Sequence, residues 1–208
     1  MLGQSRVESR QRHLSSGQTS NLRKLMHMAM AVVALAGWLV SFEVALALAG
    51  ALVGASLAVE AVRRWWPWVN RLLWRFLPSV FRKWEDRRVL ASTWFALSML
   101  LALLLFRRDA GGTAILFVAW GDPTAEMVGR RWGRRGEGKT AAGSLGCLMA
   151  CLAAAAVGIS LGGLSPWSAL AGAVAATLVE RWSPPPDDNV WMPLLSGLVI
   201  VGMQGILP

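Results

Sequence analysis

Three stretches of this sequence carry residues able to handle a phosphorylated substrate. The first is Asp122, with Pro123 after it and Glu126 one helical turn further on. Both carboxylates fall within an apolar run that begins near Gly111. A carboxylate at membrane depth costs roughly 2.5–3.5 kcal/mol on insertion scales unless a partner, a cavity or a metal receives it. Pro123 suits the first position of a helix and Asp122 its N-cap, so the spacing predicts a break here and a new helix from Pro123. Glu126 would then share a face with Asp122. The plainer alternative is a capping Asp and a solvated Glu.

The second stretch runs from Gly129 through Arg130, Arg131, Gly133 and Lys139 to Thr140. Residues 133–140 match the pattern GxxxxGK[ST] letter for letter. A P-loop must follow a β-strand inside a βαβ unit, and here an apolar helix precedes it. The physics survives the loss of the motif: glycines let backbone amides approach an anion, and Arg with Lys neutralises phosphate charge. A basic loop obeying the positive-inside rule is the competing explanation. The third stretch is Glu180, then Asp187, Asp188 and Asn189 behind three prolines. Paired carboxylates with an amide are hard oxygen ligands suited to Mg²⁺, although as an isolated string they also read as a polar turn.

Earlier in the chain, Lys24 precedes His27, Glu60 precedes Arg63, and Arg82 precedes Glu85, each pair three residues apart. Taken singly, such a His is a structural donor and such Arg–Glu neighbours are interfacial charge pairs. Cys147 and Cys151 lie four apart in an Ala-rich run without partner histidines, which favours buried packing over a metal site.

The elements that must position these residues are membrane helices. Hydrophobic residues make up 55% of the 208, charged residues only 16%, and mean hydropathy is +0.46. The apolar residues come in long blocks with almost no charge, which indicates a polytopic all-α transmembrane bundle, and no β-barrel alternation is visible. Seven spans can be drawn, at about 25–42, 44–62, 89–106, 111–128, 141–161, 166–182 and 190–207. Residues 1–22 are polar and basic and predict a disordered cytoplasmic tail; no signal peptide is apparent, and 23–208 form the membrane domain. Residues 63–88 interleave Trp65, Trp66, Trp68, Trp74 and Trp84 with Arg, broken by Pro67 and Pro78, as an amphipathic segment lying in the interface would.

With the N-terminus cytoplasmic, nineteen of the 21 Lys and Arg fall inside, leaving only Arg107 and Arg108 outside. The net charge of +9 then reflects basic loops and anionic headgroups rather than nucleic acid, for which no recognition module is present. The same topology brings Lys24, His27, Glu60, Arg63, Glu85, Asp122, Lys139, Glu180 and Asp187 to the cytoplasmic face, with Glu43 and Asp109 opposite. No pattern in the spans sets an oligomeric state or a lipid chain length.

In order along the chain, RKxxH (Arg23, Lys24, His27), ExxR (Glu60, Arg63), RxxE (Arg82, Glu85), GDxxAxxxGxxxG (Gly121 to Gly133), KTxxGS (Lys139, Thr140, Gly143, Ser144) and E…DDNxxxP (Glu180, Asp187, Asp188, Asn189, Pro193) resemble the polyprenol kinase family. That family includes dolichol kinase, phytol kinase and CTP-dependent diacylglycerol kinases. The resemblance covers about residues 23–193. It implies phosphorylation of a lipid alcohol (a polyprenol, a phytol- or dolichol-like alcohol, or diacylglycerol) from CTP. The expected location is a bacterial-type plasma membrane, with the site placed on the cytoplasmic side by the topology.

Phosphoryl transfer asks of a protein mainly positioning and charge neutralisation. On that basis Asp122 with Asp187 or Asp188 is expected to hold Mg²⁺ on the triphosphate. Lys139, Arg130 and Arg131 are expected on phosphate oxygens, with Gly133, Thr140, Gly143, Ser144 and Asn189 around them. Glu126 or Glu180 is expected to take the hydroxyl proton, and Lys24 with His27 could contact the nucleotide; Glu60, Arg63, Arg82 and Glu85 support. Two other classes stay open: a CTP-dependent cytidylyltransferase forming a CDP-lipid, and a non-catalytic membrane scaffold or carrier.

Overall fold

A computed structural model describes residues 22–76, 88–133, 138–182 and 184–206, and every regular element among them is helical. The first helix, α1 (Leu22–Leu39), carries a turn at Met30. Ser41 then caps α2 (Phe42–Trp65), its Oγ accepting from the Val44 amide at 3.3 Å, and Glu43 in the first turn suits the positive end of the helix. Arg63 and Arg64 sit in the last turn, where the helix dipole favours cations. Pro67 starts the short α3 (Pro67–Phe76), which buries none of its residues and exposes Trp68, Leu72 and Phe76. The rest of the expected interfacial segment, with Arg82, Trp84 and Glu85, lies outside the described residues, as does the tail 1–21.

Helix α4 (Ala91–Phe106) runs into a π-helical turn, Arg107–Gly111, and then α5 (Gly112–Trp132). The chain reverses at that turn. A Cβ on Gly111 would lie 2.6 Å from the carbonyl oxygen of Ala102, whereas a straight helix would hold these residues roughly 13 Å apart at 1.5 Å per residue. Thr140 caps α6 (Ala141–Gly162), which ends on Gly163 in the left-handed conformation, φ 67°, where a side chain would be strained. Two further helices complete the bundle, α7 (Pro166–Trp182) and α8 (Asp188–Ile206).

Helix α5 is the centre of the molecule. Every residue from Gly112 to Ala119 is buried, so no face of this segment is left for lipid or water. Its neighbour α6 approaches closely because both helices present small residues at the crossing. A Cβ on Gly121 would lie 2.9 Å from Cys151 Sγ and 3.1 Å from Cys147 Sγ; one on Gly146 would lie 2.7 Å from Val128. In lipid, where helix association gains little from hydrophobic burial, such close packing is a main source of cohesion. Both cysteines are buried and free, as the packing reading anticipated.

The expected break at Pro123 is corrected: α5 continues through it to Trp132 with Pro123 buried inside. Pro removes the bond to the Ala119 carbonyl, but a helix surrounded by neighbours can keep its course where an isolated one would end. The last helix likewise begins at Asp188 rather than Val190, which puts Asp188 and Asn189 in its first turn.

Among the described residues three helices, Leu22–Leu39, Phe42–Trp65 and Ala141–Gly162, are long and apolar enough to cross a membrane by length and composition, and Ala91–Phe106 is a shorter apolar helix. Large apolar side chains such as Leu39, Leu104, Met149 and Leu198 point outward, as they do in proteins solvated by lipid. The helices alternate in direction. At one end Trp38 meets Gly112 and Gly162 beside Asp109; at the other end the motifs converge.

Candidate active site

Lys139 stands just before α6, and its surroundings are set by Thr140. The Thr140 hydroxyl accepts from the Gly143 amide at 3.0 Å, fixing how the chain enters the helix. Arg181 donates to the Lys139 carbonyl at 2.5 Å, tying the same stretch to the end of α7. The Lys139 side chain is thereby delivered into a ring of acids: Nζ lies 2.7 Å from Glu180 Oε1, 2.7 Å from Asp188 Oδ2 and 3.9 Å from Asp122 Oδ1. Carboxylates from α5, α7 and α8 thus close on one ammonium. Burial alone would lower the Lys139 pKa; Asp188, then Asp122, outweigh it and hold the group above the ordinary lysine range.

A second layer links this ring to α1. His27 Nδ1 lies 3.4 Å from Asp122 Oδ2, and Lys24 Nζ lies 3.6 Å from Glu126 Oε1. Lys24 and His27, three residues apart on α1, therefore meet Glu126 and Asp122, four apart on α5: two helical faces in register. Arg130 also reaches Glu126, at 2.8 Å. Across the site, Asp187 Oδ1 accepts from the Asn189 amide at 3.0 Å, and Ser98 Oγ donates to the Asn189 carbonyl at 2.8 Å. The start of α8 is thereby held against α4.

Glu60 and Arg63 form a buried latch rather than an exposed interfacial pair. Glu60 Oε1 accepts from the Leu90 amide at 2.6 Å, and Oε2 accepts from Arg63 Nε at 3.0 Å and Arg64 Nε at 3.2 Å. Arg63 in turn donates to the Arg88 carbonyl. These bonds satisfy backbone groups at the start of α4 that no helical bond reaches, and they tie the end of α2 to that start.

The sequence-derived site residues separate into three groups. Lys24, His27, Asp122, Glu126, Lys139, Glu180, Asp187, Asp188 and Asn189 gather at one end of the bundle, with Ser144 Oγ 3.5 Å from Glu180 Oε2. Gly133, Thr140 and Gly143 lie at the crossing of α5 and α6, where a Cβ on Gly143 would sit 2.9 Å from the Ala125 carbonyl and one on Gly133 would strike Gly129 and Thr140. Arg130 and Arg131 are exposed, the latter with its guanidinium 5.4 Å from the Trp132 ring. Arg82 and Glu85 are outside the described residues. Three contributors were not read from sequence: Ser98, Phe95, whose ring packs edge-on to His27 at 4.3 Å, and Arg181. A buried Ser in an otherwise apolar helix was the available signal for the first.

The donors around Lys139 are all carboxylate oxygens, three acids sharing one lysine, and this chemistry fits a hard divalent cation. Among the described residues no three His, Cys, Asp or Glu side chains form a ready metal cage. Mg²⁺ does not need one, since it is commonly held by one or two carboxylates together with substrate phosphates.

No protein-family model matches this chain, and no solved structure does. Among curated proteins it is similar to the CTP-dependent diacylglycerol kinase 1 of Schizosaccharomyces pombe, 28% identical over 94 residues, covering 43% of this chain and 43% of the relative. The protein of the same name from Eremothecium gossypii is 28% identical over 105 residues, covering 49% of this chain and 33% of the relative. That from Saccharomyces cerevisiae is 25% identical over 170 residues, covering 67% and 57% respectively. The chain thus spans between a third and somewhat over half of the length of these relatives.

Proposed function

We propose, from similarities that support membership in the polyprenol and lipid kinase family, that this chain transfers the γ-phosphoryl group of CTP to the hydroxyl of a lipid alcohol. The observation that carries the reading is Lys139, held 2.7 Å from both Glu180 and Asp188 and 3.9 Å from Asp122. A lysine beside acids from three helices that could hold a divalent cation, at the end of the bundle where the motifs meet, supports the charge neutralisation on which phosphoryl transfer depends.

In this reading Lys139 neutralises triphosphate charge, and the acids keep its ammonium protonated and fixed. Asp122 and Asp188, with Asp187 beside them, would hold Mg²⁺; when bound, the ion neutralises and orients the triphosphate oxygens. The buried Lys24 and the exposed Arg130 and Arg131 add positive charge. A bond forms from the lipid hydroxyl oxygen to the γ-phosphorus while the bond to the β-phosphate oxygen breaks. CDP leaves, and the hydroxyl proton passes to a carboxylate of the cluster, with Glu126 and Glu180 as the candidates. Glu60 and Arg63 act at a distance, by fixing α2 to α4.

The topology belongs to the same proposal: seven spans, the amino terminus in the cytoplasm, and the motif end of the bundle facing cytosolic nucleotide. Its support is the alternating helix direction together with the concentration of Lys and Arg in the segments at that end, Arg107 and Arg108 excepted. The test is a matrix of radiolabelled nucleotides against lipid alcohols, using the purified chain with Mg²⁺. The expected result is γ-label on a lipid alcohol, with CTP the preferred donor and CDP released. Transfer of the α-label to a phospholipid with release of pyrophosphate would mean a cytidylyltransferase, and no transfer with any pair would remove the enzymatic reading.

A further inference from the structure

A cavity of about 440 Å³ lies between α1, α2 and α4, and its walls are Met26, Met30, Leu52, Val59, Phe95 and Met99. These apolar walls suit a hydrocarbon chain. Arg23, Ser56 and Ser92 also line it, and two further polar residues stand out. His27 and Asn189 both line the cavity, are 9% and 3% exposed, and each has a buried side-chain atom without a hydrogen-bond partner, Nε2 and Oδ1. Buried polar atoms of native proteins are rarely left unpaired, so two on one apolar cavity call for a ligand group.

We propose that this cavity seats the acceptor, an uncharged lipid alcohol whose hydroxyl lies between His27 and Asn189 and whose chain runs along α1, α2 and α4. The inference deepens the kinase reading and rests on it for the direction of transfer. A hydroxyl has one donor and two acceptor lone pairs, and the Asn189 amide presents either its oxygen or its nitrogen by a half-turn. One hydroxyl can therefore satisfy both residues. His27 also carries the connection onward, since its other ring nitrogen lies 3.4 Å from Asp122, the acid that faces Lys139. The cavity thus ends where the phosphate-handling cluster begins.

The charge of the lining selects the ligand class. Arg23 is the one cationic residue among the described lining residues, so an already phosphorylated lipid would lack the cationic cradle its headgroup needs. Three flexible methionines on the walls favour tolerance of chain shape. A single-chain prenol and a diacylglycerol offer the same neutral hydroxyl, and the experiment separates them.

The test uses the full chain in lipid nanodiscs with diazirine-bearing prenol and diacylglycerol probes. The prediction is labelling of peptides from 22–30 and 90–99, displaced by the matching unlabelled alcohol and not by phosphatidate. The probe that labels there identifies the chain type. Labelling confined to other segments, or displaced equally by phosphatidate, overturns the proposal. In parallel, Ala55→Phe fills the cavity from an exposed position on α2, while Ala58→Phe places the same ring on α2 outside the lining. The first should raise KM for the lipid by about tenfold or more, with KM for CTP unchanged; the second should alter neither. A folded Ala55→Phe protein with the wild-type lipid KM contradicts the proposal. Displaceable labelling at these peptides without phosphate transfer would retain the cavity and remove the kinase, and transfer without such labelling would do the reverse.

Discussion

The Lys139 ammonium lies 2.7 Å from the Asp188 carboxylate, a contact between residues 49 positions apart that joins the start of α6 to the start of α8. Asp188 is 9% exposed at the side chain and Lys139 33%, so the pair is sheltered without being sealed. In water such a pair contributes little; here both partners are sheltered, and Lys139 is shared with Glu180 as well.

Asp188→Asn and Lys139→Met should each lower turnover with CTP by about 100-fold or more, the usual effect of losing one charge-stabilising group. The double variant should lose less than the product of the two. Thermal denaturation in detergent should show the same coupling, of about 0.5–3 kcal/mol. Additive losses in both measurements would mean that the contact has no energetic content.

Lys139 also sets a pH expectation. Its pKa is raised from the ordinary 10.5, so its contribution to stability is complete below that value and is lost only as pH climbs through the higher folded one. The difference in melting temperature between wild type and Lys139→Met should therefore stay constant from about pH 6 to about pH 9, well below the lysine range. A difference that shrinks within that window would show an ammonium less firmly held than the geometry implies.

The Glu60 latch predicts a loss of stability without a loss of nucleotide recognition. Glu60→Ala strips the acceptor from the Leu90 amide, Arg63 and Arg64 together. Removing one partner of a buried ion pair costs about 3–5 kcal/mol. The melting temperature should fall by many degrees, while KM for CTP in the surviving folded fraction stays near wild type. A CTP defect without a stability defect would place Glu60 in the binding site instead.

Gly121 tests the packing that carries Asp122. Gly121→Ala would push a methyl to 2.9 Å from Cys151 Sγ and should destabilise by about 1–3 kcal/mol, as overpacking does. Gly50→Ala, where nothing lies within 4 Å, should be neutral or slightly stabilising because Ala is the better helix former. Equal thermal shifts for the two variants would remove packing as the explanation.

Much of this arrangement was legible beforehand because charge in lipid is costly and loop charge sets orientation. Those two rules alone place Asp122, Lys139, Glu180 and Asp187 at one end. What they could not supply is partner choice. Asp122 faces His27 and Lys139 at once, and Glu126 turns to Lys24, because α1, α5 and α6 pack in a particular register, and register depends on the small residues at each crossing. Pro123 was misleading for a related reason: local chemistry says that a helix starts there, and the buried surroundings of α5 override it. The glycines of the 129–143 region suggested a phosphate cradle by type alone, whereas the structure places Gly133 and Gly143 where two helices touch. Ser98 and Phe95 carry no motif, and only the fold brings them to Asn189 and His27.

The most direct test of the central claim follows the phosphorus. Purified chain is incubated with Mg²⁺, a lipid alcohol and CTP labelled separately at the α- and γ-phosphates, alongside Asp122→Asn. The account predicts γ-label on the lipid and α-label in CDP, with both signals lost in the variant. Release of pyrophosphate, or undiminished transfer by Asp122→Asn, would contradict it.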